Sequence, residues 1–99
     1  MSDTLAPETA VLVAWRLARS PEGGLVGYCA VELFGGLIIE GIPIFREHDG
    51  PLSVGVPTMP STHPGRATKY YPILRFRGDW RERWRRIVLE SLDAGGVIP

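Results

Sequence analysis

Few side chains in this 99-residue chain are equipped for nucleophilic, acid–base or soft-metal chemistry: Cys29, His48 and His63. An activated thiolate needs a cation or imidazole beside it. The run Leu25–Leu33 (LVGYCAVEL) offers none in sequence, so Cys29 reads as a small buried apolar group. Glu47-His48-Asp49 holds ligands for a hard cation or a base, yet its setting, Arg46-Glu47-His48-Asp49-Gly50-Pro51, is that of an exposed polar turn. Neither histidine has the context of a triad, and the chain contains no P-loop, G-x-G-x-x-G, CxxC or HExxH spacing. The expectation is a non-enzymatic protein with no cofactor and no metal.

The second chemistry is electrostatic, and it has more to work with. From Gly65 to Leu92 the chain reads GRATKYYPILRFRGDWRERWRRIVLESL, with Arg66, Lys69, Arg75, Arg77, Arg81, Arg83, Arg85 and Arg86 opposed up to Arg86 only by Asp79 and Glu82. Acids elsewhere bring the formal net charge to +0. A surface for an anionic polymer and a merely solvated helix face both fit this pattern. Cations in the first turns of a helix oppose its dipole by about 0.3–1 kcal/mol each. Arg81 and Arg83 therefore stand where helix stability alone would not place them, and that conflict favours a ligand. The expected nucleic-acid contacts are Arg66, Lys69, Arg75, Arg77, Arg81 and Arg85, with Tyr70 and Tyr71 as candidates for stacking on bases. Glu82 is expected to pair with Arg86 at i,i+4.

Length and composition frame these readings. Ninety-nine residues at 44% hydrophobic and 22% charged make one ordinary globular domain. One cysteine rules out an intrachain disulfide framework, no apolar run reaches membrane-span length, and MSDTLAPETA lacks the pattern of a signal peptide. A cytoplasmic protein without membrane partners is expected.

The elements that must position the cations follow from periodicity. Residues 1–9 read as a flexible arm, residues 10–94 as the domain and residues 95–99 as a tail. In AVLVAWRLAR the odd positions Val11, Val13, Trp15 and Leu17 predict the inward face of a first strand. Ser20-Pro21-Glu22-Gly23-Gly24 predicts a turn, Leu25–Leu33 a second strand, and Phe34-Gly35-Gly36 a hairpin with the paired glycines left-handed. Leu37 to about Phe45 predicts a third strand, with Gly41 and Pro43 marking a sheet edge or a bulge. LSVGV is a short fourth, and Pro57–Lys69 a long loop that is either functional or a flexible connection. YYPILRFR predicts a final strand with Arg75 and Arg77 on its outer face. A helix follows from Trp80 to about Asp93, with Asp79 as N-cap, Glu82 completing a capping box, and Trp80, Trp84, Ile87, Val88 and Ser91 as its inward stripe. Trp80 and Trp84 could instead stack on bases, and Leu89, nearly opposite Trp80, hints at a partner surface. The fold class is α+β: an antiparallel sheet of four to five strands in meander order with one C-terminal helix packed on it.

The order of these pieces resembles the SpoVG family of small bacterial septation and sporulation regulators, over roughly Val11 to Leu92. The resemblance is carried by VAWRLAR, by GGLVGYCAVEL, and above all by IIEGIPIFREHDGPLSVGVPT. That last stretch is similar to the family's strand, Gly-containing turn and strand leading into a Met-Pro-Ser signature, here Val56-Pro57-Thr58; YYPI lies where the family carries His-Pro-Ile. Family members place Lys or Arg directly after the signature, whereas this chain has Met59, Pro60 and Ser61, with Arg66 and Lys69 as the nearest cations. The resemblance implies a homodimer formed through the sheet and DNA or RNA binding in gene regulation. The alternative is a protein-interaction or assembly module that turns the same basic surface to an acidic partner, with the sheet edge near Pro43, or Leu89, as its apolar contact.

Overall fold

The computed structural model describes residues 10–19, 22–46 and 48–97. The expected arm at residues 1–9, Ser20 and Pro21 of the first turn, Glu47 of the polar turn and the tail's last two residues lie outside these. Strands β1 (Ala10–Leu17), β2 (Leu25–Leu33), β3 (Leu37–Arg46) and β4 (Leu52–Val54) form an antiparallel sheet in the order β1-β2-β3-β4. Strands β5 (Thr58–Ser61) and β6 (Lys69–Pro72) form a second sheet of two, and helix α1 (Trp80–Ala94) packs across the first sheet on β1 and β4. This is the α+β meander with a C-terminal helix. No helix among the described residues is long and apolar enough to cross a membrane.

The faces of β1 depart from simple alternation. Its register with β2 shifts between Leu12 and Ala14, making Val13 the extra residue of a bulge. An extra residue swaps the inward and outward sets. Ala10 and Leu12 therefore pack on the core before the bulge and Trp15 after it. Val11 and Val13, expected inside, are exposed; Leu17 lies on Trp15's side but stands open at the strand end. The same device recurs in β3, where Cys29 faces Ile42 but Val31 faces Ile39. Glu40 and Gly41 fill the gap, with Gly41 at φ 71, so the bulge lies at Gly41 and β3 is an interior strand despite Pro43. At the β2–β3 turn the left-handed residues are Phe34 (φ 56) and Gly35 (φ 71), one position earlier than the paired glycines suggested.

The core joins Cys29, Val31 and Leu33 of β2 and Ile42 and Ile44 of β3 to Trp84, Ile87, Val88 and Leu92 of α1. Each large apolar side chain buried here contributes about 1.5–3 kcal/mol. Cys29 is 2% exposed, and burial pushes its thiol up to about 11, which keeps it protonated at neutral pH. The helix stripe is shifted from the expected one. Leu92 replaces Trp80 in the core, Trp80 lies outside against Arg83, and Leu89 is half-buried against the core rather than free for a partner. Trp84 fixes the docking, donating its indole N–H to Gly55 O at 3.0 Å with the Phe76 ring 5.7 Å away. A buried indole needs such an acceptor. Gly55 can supply it because it has no side chain: a Cβ there would sit 2.8 Å from Pro43 Cγ.

Candidate nucleic-acid interface

The expected long loop after Pro57 instead begins with a strand. Thr58, Met59, Pro60 and Ser61 pair with Pro72, Tyr71, Tyr70 and Lys69, giving a β5–β6 hairpin whose connecting turn carries His63 and Arg66. The expected final strand is correspondingly shorter. It ends at Pro72 and pairs with β5, not with the main sheet, because its partner residues come from the loop it follows. The irregular link beyond Pro72 keeps the alternation without a ladder: Leu74 and Phe76 pack on the core, while Arg75 and Arg77 are exposed.

The hairpin's principal contacts are between its own two strands. Tyr70 and Tyr71 are 66% and 52% exposed, and Met59 is exposed opposite Tyr71. Residues adjacent in a strand point to opposite faces. Tyr71 therefore shares a face with Met59 and Lys69, and Tyr70 shares the other with Pro60. Alternation along the strand already separates the two tyrosines; that Met59 and Pro60 are their neighbours depends on which strand pairs with β6.

The helix cations separate by partner. Asp79 makes no side-chain capping bond; its Oδ2 lies 3.3 Å from Arg83 Nε, so the expected capping box is not formed. The Asp79 carbonyl instead accepts the Glu82 and Arg83 backbone N–H groups. Arg83 also lies over the Trp80 ring, 5.2 Å from its centroid. Arg85 donates to Glu82 Oε2 and to Leu52 O, each at 3.5 Å. The expected Glu82–Arg86 pair is thus replaced by Glu82–Arg85, because only the i,i+3 arginine also reaches β4. Among the described residues Arg66, Lys69, Arg75, Arg77, Arg81 and Arg86 have no carboxylate within ion-pair distance. Arg86 is the cation that sequence reasoning missed, since i,i+3 and i,i+4 spacing are equally open to Glu82 until the sheet is in place.

The eight expected contacts consequently fall in three settings along one continuous segment. Arg66, Lys69, Tyr70 and Tyr71 belong to the hairpin, Arg75 and Arg77 to the irregular link, and Arg81 and Arg85 to the first half of α1, with Arg85 also in contact with Glu82 and Leu52. Among the described residues no group of three or more His, Cys, Asp and Glu could hold a metal ion. Comparison of the chain with protein-family models, curated proteins and solved structures returns no match.

Proposed function

We propose that this protein is a small, SpoVG-like regulatory protein that binds DNA or RNA as a homodimer. One observation carries the reading: a hairpin with uncovered tyrosines leads directly into exposed arginines that have no carboxylate partner among the described residues. Anionic backbone and planar bases are the complement of that combination. The hairpin's extended shape suits a single strand, with bases on Tyr71 and phosphates on Lys69, Arg75, Arg77 and Arg81. The order of motifs shared with the SpoVG family supports the regulatory role.

In a salt-titrated assay with single- and double-stranded DNA and RNA, the wild-type protein binds with a steep salt dependence. Tyr71→Ala weakens single-strand binding by about 1 kcal/mol or more, roughly fivefold, with little change in the salt slope. Equal binding by wild type and variant would remove stacking from the model. Binding to no nucleic acid at low salt would leave the assembly-module reading, in which the same cations face an acidic protein.

Dimerisation through the sheet is supported by the apolar side chains left open near the β2–β3 turn. Val11 and Ile38 lie in one cross-strand row with Glu32, and Phe34 is exposed in the adjoining turn. Ile38→Glu is expected to yield a monomer by light scattering while keeping the wild-type circular dichroism. A variant that remains dimeric would place the contact elsewhere.

A further inference from the structure

The three arginines outside the basic stretch, Arg16, Arg19 and Arg46, come together at the opposite end of the sheet, where β1 and β3 finish and β2 begins. Two clefts open there on either side of a shared wall of Leu17, Ala18 and Leu25. The larger, of about 560 Å³, is completed by Arg16, Arg19 and Tyr28. The other, of about 460 Å³, holds Arg46 and His48, and Arg46 Nε is buried with no hydrogen-bond partner among the described residues. Both fall within the size range of small-ligand sites, roughly 300–1,000 Å³.

The larger cleft has a specific chemistry. The Arg16 guanidinium lies over the Tyr28 ring, 5.2 Å from its centroid, across the β1–β2 pair Arg16↔Tyr28. The guanidinium thus has an aromatic ring on one side, and Arg16 is exposed to solvent. Among the residues whose side chains are described, neither Arg16 nor Arg19 has a carboxylate within ion-pair distance. Two guanidinium groups suit a phosphate; a guanidinium already resting on an aromatic ring offers its other face to a planar base. Leu17, Ala18 and Leu25 give the cleft an apolar wall.

We propose that the Arg16–Tyr28–Arg19 cleft binds a nucleotide unit, with its phosphate between Arg16 and Arg19 and its base stacked on Arg16. The unit is either a free nucleoside monophosphate or one residue of a bound strand, since both present the same phosphate and base. This site is separate from the hairpin surface and does not depend on it.

The test is amide NMR of the full chain titrated with adenosine and cytidine monophosphate, inorganic phosphate, and a short single-stranded oligonucleotide. Nucleotide is expected to move the Leu17, Ala18, Arg19 and Leu25 amides. Arg16→Gln and Arg19→Gln, both exposed positions that leave the core intact, should each weaken that response at least fivefold, whereas Tyr71→Ala should leave it unchanged. Inorganic phosphate alone should bind at least fivefold more weakly than nucleotide. A response to the oligonucleotide only, still dependent on Arg16, identifies the strand as the source; a response to monophosphates identifies a free nucleotide. No movement of these amides with any probe, movement insensitive to Arg16→Gln, or equal binding of phosphate and nucleotide would each overturn the assignment.

Discussion

Replacing Trp84 by alanine is expected to lower the unfolding free energy by about 3–5 kcal/mol, read by urea titration with circular dichroism. The size follows from three losses at once. The side chain is 4% exposed within the core, its ring abuts Phe76, and its indole N–H is the bond from α1 to the Gly55 carbonyl beyond β4. A domain of this size has about 5–15 kcal/mol in total, so the loss is a large share of it and should lower the urea midpoint well below the wild type's. Trp84→Phe separates the terms by keeping an aromatic ring and removing the donor. It should cost about 1–3 kcal/mol, the range for leaving a buried acceptor without its partner, together with the loss of ring volume. If Trp84→Phe matches the wild type, the bond to Gly55 contributes nothing. If the alanine variant falls by less than about 1 kcal/mol, the helix is held by other contacts.

The triple variant Arg75→Gln/Arg77→Gln/Arg81→Gln should remove most of the affinity for single-stranded nucleic acid while leaving the fold intact. All three side chains are exposed, and none has a carboxylate within ion-pair distance among the described residues, so their loss disturbs no internal ion pair. Each neutralised phosphate contributes about 0.7 to the slope of log affinity against log salt for a single strand, giving a decrease of about 2 for three. Referred to molar salt, that decrease amounts to about a hundredfold in affinity near 0.1 M. Arg85→Gln is the matched control. Its guanidinium already bridges Glu82 and Leu52, so its removal should leave the salt slope nearly unchanged. A slope that does not change in the triple variant, or that falls as much for Arg85→Gln, would separate these arginines from the ligand.

The parts of this fold legible in the sequence were those set by local chemistry. Turn residues delimit the four meander strands, helical spacing places the end of α1 within a residue of that observed, and Cys29 is the buried apolar group its surroundings suggest. What failed depended on non-local partners. A one-residue bulge at Val13 inverted the expected face at Val11, and nothing in a run of small and β-branched residues marks where such an insertion falls. Thr58–Ser61, with a proline inside it, does not look like a strand, and becomes one only when Lys69–Pro72 folds back beside it. Asp79 fits an N-cap by type and position, but Arg83 one turn on takes its carboxylate. The hairpin, link and helix cations were named from sequence. Which of Arg85 and Arg86 keeps an internal partner depends on Leu52, distant in the chain and adjacent in space.

The bulge in β1 also bears on how far copies of this chain can assemble. Strands add edge to edge only along an unbroken row of backbone donors and acceptors. At one margin of the sheet that row is interrupted at Val13; at the other, β4 offers only the three residues Leu52–Val54. Neither margin is a good template for a growing ribbon. The proposed association through the open apolar face would instead bring one patch against its own copy about a two-fold axis, and such a contact closes on itself. The bulge that inverts the face of β1 therefore counts against edge-to-edge growth, and the proposed dimer would stay a finite pair.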